Sequence, residues 1–502
     1  MALNPKKIYS DFRKSVIDKE SAVDSLIYLI ENADSTETRL ESIRTLQRIG
    51  SKNDKTFSIL ESLLISDSNE EIRILAAHNL DVLFQKKALA PLQWVLEHEK
   101  SMSWRFILDI TSIISKFNNQ NAKSIFVEKI KKFDNDKFSK SLSFLFESGE
   151  IDNSSIDDLA SIIANYAIIK FFEEILKVVN YEVANGLISE IDLSFTSNNN
   201  SGWKVLKNLS TFISILKNLR KLKLRGNRIG KFPDAVISLS SLNYLDLSHN
   251  VLKILPDNIN NLKSIEYLDL GYNLLTELPN SLSKITNLKG LDLQHNKLVS
   301  LPDSIGKLNS LEVLNLHGNQ FNKFPAPLES LSALQTLKLG LNSLKIVPEW
   351  IHKLKSLKKL GLGGNKSLSS LEWVEFLPGI VNLNLYDNNI KKLPDSIGIL
   401  TSLEVLKLPN NQILKLPESF KNLTSLKKLD MSWNSLTSLP DWIGSLTSLE
   451  ELNFRGNKLK SLPNSMGNLI SLKFLNLTLN DDFIQIPKSV TDLQNRGLQL
   501  DK

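Results

Sequence analysis

Apolar residues in the C-terminal three-fifths of the chain fall at one repeated spacing. The stretch 242–250 reads Leu242, Asn243, Tyr244, Leu245, Asp246, Leu247, Ser248, His249, Asn250, with apolar residues first, fourth and sixth and an asparagine ninth. The phrase returns with Asn227, Asn250, Asn273, Asn296, Asn319, Asn342, Asn365, Asn388, Asn411, Asn434, Asn457 and Asn480, always 23 residues apart. Positions four and six alternate with polar residues, the period of a short strand with one face inward. One copy cannot bury that face alone, so the copies must stack into a parallel sheet with each Leu packed on its equivalents. A fixed period of this length predicts a solenoid, and with it an extended recognition surface in place of one catalytic pocket.

The recurring asparagine needs its own explanation, because a buried amide is costly unless hydrogen-bonded. Its donors and acceptor suit backbone groups where the strand turns out of the sheet. The column therefore reads as a structural ladder, with Asn319 inward and Asn315, four residues earlier, on the exposed side. Ten of the twelve copies place Pro six residues after the Asn, from Pro233 to Pro463. Proline cannot donate to a ladder, so it ends the extended segment and opens the return path. Seven of these prolines precede an acid: Asp234, Asp257, Asp303, Glu349, Asp395, Glu418 and Asp441. Acids suit the first turn of a short helix, so they are expected to cap it. Two copies break the rule. After Asn365 the proline is missing and the apolar pair, Leu368 and Leu371, is shifted by one residue, which predicts a local change of return path. After Asn480, Phe483-Ile484-Gln485-Ile486-Pro487 is displaced in the same way, as suits a terminal repeat.

This 23-residue consensus resembles the leucine-rich repeats of Ras-suppressor-type scaffolds, over residues 219–490. The resemblance implies a curved α/β solenoid with its parallel sheet on the concave face. It also implies an intracellular, non-enzymatic protein whose concave face engages a small GTPase or a phosphatase subunit.

Residues 1–186 lack the phrase and read as helical. The segments beginning Ser35-Thr36-Glu37 and Ser68-Asn69-Glu70 each open with a capping residue and acids, followed by apolar residues at three- and four-residue spacing. Arg39 and Arg73 lie 34 residues apart at equivalent places, and Arg105 follows 32 residues later. The pattern resembles a short run of HEAT-type helical hairpins over residues 20–118. The fold class expected is thus an all-α helical-hairpin domain, 1–186, followed by a leucine-rich-repeat solenoid, 187–502. The apolar stretch 159–179 contains Lys170, Glu173, Glu174 and Lys177, too many charges for a membrane span. It is expected to pack as a helix capping the first edge of the sheet. Ile188-Ser189-Glu190-Ile191-Asp192-Leu193 reads as a divergent first strand with a helical return through 203–219, giving about thirteen strands.

With 502 residues and 42% hydrophobic content the chain is long enough for two domains. It has no cysteine, which excludes thiol catalysis and thiolate metal sites and argues against an extracellular array closed by disulfides. The first 20 residues have no apolar core of a signal peptide, and no stretch reaches membrane-helix length. A cytoplasmic monomer is expected, with no membrane partner. The net charge of +6 divides into −4 over residues 1–186 and +10 over the rest. The densest basic group is Arg220, Lys221, Lys223, Arg225, Arg228 and Lys231. It suits phosphate, nucleic acid or an acidic protein, or equally an acidic neighbour in the fold.

Candidate chemistry is legible as columns on the sheet. Position five carries Asp246, Asp269 and Asp292 in three successive strands about 4.8 Å apart. Three like charges in register repel unless a cation or basic partner neutralises them. Beside them stand Tyr244, Tyr267, Tyr272, His249 and His295. Aromatic rings next to acids on an exposed sheet fit a protein-binding hot spot; the plainer alternative is a wet polar surface with Lys289 as counter-ion. A metal site is disfavoured by the two-repeat separation of the histidines. The Gly361-Leu362-Gly363-Gly364 string lacks the spacing of a phosphate loop. No Ser-His-Asp set, zinc motif or nucleotide fingerprint is present, so the leading reading is a non-enzymatic scaffold for a protein partner, with no cofactor; the alternatives are a nucleic-acid or phosphate binder using the basic first repeats, or an enzyme with its site in the helical half, whose histidines are His78 and His98.

Overall fold

Helices in the N-terminal region begin where the sequence supplies a cap. Asn4, Asp18, Ser35, Asn53, Asn69, Asn119, Asn135 and Ser155 each accept a backbone N–H of the turn that follows. In the computed structural model, residues 4–99, 103–177, 179–196, 206, 209–481 and 485–502 are described. They divide into two units: residues 1–191 with 204–219, and residues 192–203 with 220–502.

The first unit carries helices Pro5–Arg13, Lys19–Asn32, Thr36–Ile49, Asp54–Ser66, Glu70–His98, Trp104–Ser115, Gln120–Lys131, Asp136–Glu147 and Ile156–Leu176. Glu70–His98 is kinked at Phe84 (φ −131°, ψ 34°). Arg39 and Arg73, set 34 residues apart, do equivalent work. Each Nε donates to a carbonyl nine residues back, Ile30 at 2.8 Å and Leu64 at 2.9 Å. Each guanidinium also pairs with an acid further along the chain, Asp67, 28 residues on, or Glu99, 26 residues on. The 34-residue spacing is thus a structural repeat. Arg105, the third member, lies 5.2 Å from the Trp104 ring.

The segment 159–179 is, over its described part, the buried core of Ile156–Leu176. Among the described residues no helix is long and apolar enough to cross a membrane. One departure from an all-α region lies at its end, where Asn180–Ala184 and Leu187–Asp192 are neighbouring strands. They are joined by Asn185 and Gly186, both at positive φ (51° and 73°), the conformation an Asn-Gly hairpin turn requires. A Cβ at Gly186 would lie 2.7 Å from Leu142 Cδ2, so the close approach excludes other residues. Of the expected helical return, Leu209–Ile215 is helical and packs Phe212 on Trp104 and Phe172; 203–205 and 207–208 lie outside the described residues.

The second unit stacks thirteen parallel strands in sequence order, from Lys221–Lys223 to Gln499–Asp501. Register follows the 23-residue period, so Leu222, Leu245, Leu268 and Leu291 pair in turn. Twelve strands come from the repeats. The thirteenth, Gln499–Asp501, runs parallel to Phe474–Asn476. No asparagine phrase announces it in the sequence.

The asparagine ladder is built as its chemistry demands. Asn273 Nδ2 donates to Leu247 O and Leu270 O, both at 3.0 Å, while its Oδ1 accepts from Leu252 N at 3.0 Å. The same pattern recurs at Asn319 and Asn434. Every ladder asparagine is buried.

On the return side, short 3₁₀ helices such as Asp234–Ser238 and Asp395–Ile399 start directly after the proline, whose carbonyl accepts from the third residue on. The acids do not cap them by hydrogen bonding. They sit one residue too late, inside the first turn, where Asp234 pairs with Lys231 and Glu418 with Lys421. In the copy after Asn365, Leu368 N donates back to Asn365 O at 2.7 Å and Leu371 takes the place of the proline. Trp373 Nε1 then closes the turn on Ser370 O at 3.0 Å. The 3₁₀ helix Glu372–Phe376 still starts seven residues after the asparagine, so the altered path is confined to the turn before it. Of the displaced motif after Asn480, Phe483 and Ile484 lie outside the described residues.

Candidate partner-binding face

The eighth position of every repeat, just before the asparagine, is left-handed. φ is 54° at His249 and Tyr272, 49° at His295, 47° at Leu341 and 55° at Trp433, with Gly226, Gly318, Gly364 and Gly456 at equivalent places. This conformation costs a non-glycine residue about 1–2 kcal/mol, and the turn out of the sheet imposes it. It also directs successive eighth side chains onto one another. The His249 and Tyr272 rings stack with centroids 4.1 Å apart, and Tyr272 and His295 at 4.4 Å. His317, one strand further but from position seven, meets His295 edge-on at 5.3 Å. Arg225 donates to His249 Nε2 at 2.8 Å, and its guanidinium lies 5.9 Å from the Phe195 ring. Tyr272 thus fills the space between His249 and His295, which lie two repeats apart. Phe195 and His317, which the sequence did not single out, and Arg225 from the basic group extend the ladder.

Tyr244 and Tyr267 are register partners, as are Asp246 with Asp269 and Asp269 with Asp292. Tyr267 is 46% exposed and leans over Gly290, where a Cβ would come within 2.6 Å of its ring. That glycine, in the tyrosines' own column, is the sequence signal for the tilt.

The acids have a structural task as well. Asp246 Oδ1 accepts from Ser248 N and Oγ (2.8 and 2.6 Å), Asp269 Oδ1 from Gly271 N (2.9 Å) and Asp292 Oδ1 from Gln294 N (2.9 Å). Asn315, Asn384, Asp430, Asn453 and Asn476 accept the same N–H two residues on. Position five therefore holds the strand end, which explains its Asp and Asn content. Asp246 is buried rather than displayed. Asn315, expected on the exposed side, is buried too, donating to Asp292 Oδ2 at 2.8 Å; a side chain folded down onto the sheet loses its exposure to its neighbours.

Charge is left over in the middle of the column. Burial, together with the flanking Asp292 and Asp246 carboxylates, pushes Asp269 up to about 6, against the pull of its Gly271 hydrogen bond. Burial, with Arg225 beside it, lowers His249; burial, with His295 and Lys338 nearby, lowers His317. Lys289 pairs with Glu266 at 2.8 Å and so is not the counter-ion of the aspartates. In the basic group, Lys223 pairs with Asp192 and Lys231 with Asp234, while Arg225 serves the ladder.

Comparison with known proteins places these repeats. A model described as a leucine-rich repeat region matches residues 279–380 and 365–496, and a second, described as a leucine rich repeat, matches 217–275. Together they cover more than half of the sequence. The chain belongs to the leucine-rich-repeat family. Leucine-rich-repeat structures similar to it include a protein of Leptospira interrogans, 30% identical over 62% of this chain and 95% of that one, with a TM-score of 0.45. A plant peptide hormone receptor, RGFR1 in complex with RGF2, is 29% identical over 58% of this chain and 48% of its own, with a TM-score of 0.48. An internalin from Listeria monocytogenes is 21% identical, covering 58% and 88%, at a TM-score of 0.47. The chain thus spans about half of the plant receptor structure. No curated protein matches it.

Proposed function

We propose that this leucine-rich-repeat chain is a non-enzymatic scaffold that docks a protein partner on its sheet face, centred on Tyr244, Asp246, His249, Tyr267, Asp269, Tyr272, Asp292 and His295. The observation that carries the reading is the exposed Tyr267 ring beside a column of aspartates that no lysine neutralises among the described residues. Aromatic anchors next to clustered acid suit a partner presenting basic side chains around an apolar centre. The resemblance to Ras-suppressor-type scaffolds supports a small GTPase or a phosphatase subunit as that partner. The lack of cysteine supports a cytoplasmic setting, and the reading takes the scaffold as a monomer.

The test is kinetic. Partners are captured with the full chain and identified by mass spectrometry, and rates are then measured by surface plasmon resonance. Replacing Asp246, Asp269 and Asp292 together by Asn keeps every strand-end hydrogen bond, since Asn serves at four other strands. Association should slow, because charge steers encounter. Tyr267→Ala should speed dissociation at least tenfold, as loss of an anchor does. Unchanged rates for both variants would remove the site from this part of the face.

A further inference from the structure

Three strands further along the same sheet the chemistry reverses sign. Gly340, Gly361 and Gly363 form the floor of a hollow of about 400 Å³, lined also by His317, Lys338, Lys359, Asn382, Asn384, Tyr386 and Lys407. Lys338, Gly361, Asn384 and Lys407 are successive register partners, so the two outer lysines start about 14 Å apart across three strand spacings. Lys359 rises between them, two residues before Gly361. The rings of Tyr386 and His317 lie down against the glycines, within 2.1 Å of a Cβ placed at Gly363 and 2.6 Å of one at Gly340. At Gly361 a Cβ would meet nothing closer than 3.7 Å, so the middle of the floor is open.

The three lysines differ from others on this face. Lys289, Lys427, Lys428 and Lys473 each pair with a glutamate on an adjacent strand at 2.7–3.1 Å. Lys338, Lys359 and Lys407 make no ion pair among the described residues. Like charges converging on one hollow are unfavourable until an anion enters. No arginine lines it, so an anion here would be held by point charges and not by a planar fork. Three separate ammonium groups suit a compact anion with two charges and three acceptor oxygens, as a phosphoryl group has, more than a singly charged carboxylate.

We propose that this hollow receives a phosphorylated side chain of the docked protein. The assignment rests on the docking role proposed for the sheet face. A free small ligand is ordinarily enclosed over most of its surface. This hollow opens onto the sheet face, so a phosphoryl group borne on a larger partner would complete its cover. Acidic and basic ends on one face would then fix the direction in which the partner lies.

The test uses fluorescein-labelled neutral peptides of one sequence, carrying phosphotyrosine, phosphoserine or no phosphate, titrated against the full chain by fluorescence anisotropy. At least one phosphopeptide should bind tenfold or more tightly than the unphosphorylated form, and weaken as salt rises. Combined Lys338→Gln, Lys359→Gln and Lys407→Gln should erase that preference. So should Gly361→Val, which fills the floor and leaves every lysine in place. The lysines are exposed, so the triple variant decides the matter should Gly361→Val unfold. Equal affinity for all three peptides, or a preference that survives the lysine changes, overturns the proposal. Phenyl phosphate binding as tightly as the best peptide would assign the hollow to free phosphate esters and overturn the partner-borne source. Tyr267→Ala should leave phosphopeptide affinity unchanged, so the result is separable from the fate of the tyrosine-aspartate site.

Discussion

Asp269 shows how one residue can serve fold and face in opposite directions. Its side chain accepts the Gly271 N–H, yet burial and two neighbouring carboxylates disfavour its charge. Its folded value, about 6, lies above the ordinary 3.8. A raised carboxylate contributes stability that is complete below the unfolded value and lost as pH rises through the folded one. Asp269→Asn should therefore stabilise the protein by about 1–3 kcal/mol at pH 7.5 and have no effect near pH 4; urea unfolding at the two pH values measures it. The asparagines separate by the same accounting. Asn319→Ala strands two carbonyls and an amide and should cost about 1–3 kcal/mol. Asn315→Ala loses one bond to Asp292 and one from His317 and should cost about 1 kcal/mol. A fully neutral Asn315→Ala would show that solvent replaces both. The periodic sequence made the ladder asparagines legible, because only a buried amide explains so strict a column. It hid the strand-end role of position five, since Asp and Asn there also read as exposed polar residues.

Among elements, the 34-residue spacing of Arg39 and Arg73 was visible, and the contacts that give it meaning were not. Each arginine holds a carbonyl and an acid at once, which a planar fork does and a lysine does not. Glu99 is only 7% exposed in its side chain, so Arg73→Ala removes a charged contact from a nearly buried carboxylate. A loss of about 3–5 kcal/mol is expected, and Arg73→Lys should recover little of it; circular dichroism melts of both variants check this. The Asn180–Ala184 hairpin strand went unread because it lies beyond a long apolar helix, although Asn185-Gly186 carried the turn signal. The left-handed eighth position was also missed. Glycine is frequent there, but Tyr272, Leu341 and Trp433 disguise it. Leu479→Gly, at φ 57° and 48% exposure, should accordingly stabilise by about 1 kcal/mol.

At the scale of the whole chain, the ladder runs one way. Asn273 gives its amide protons to a carbonyl 26 residues earlier and takes an N–H from 21 residues earlier; Asn480 does the same with Phe454 and Leu459. Each turn is therefore tied by its own asparagine at the carbonyl three residues back, and further bonds wait for the asparagine of the next repeat. A nascent chain leaving the ribosome would carry one open turn at its growing tip, sealed only when the next 23 residues emerge. Deletion from either side is correspondingly unequal in kind: removing a later repeat exposes a backbone N–H, whereas removing an earlier one idles a side-chain amide.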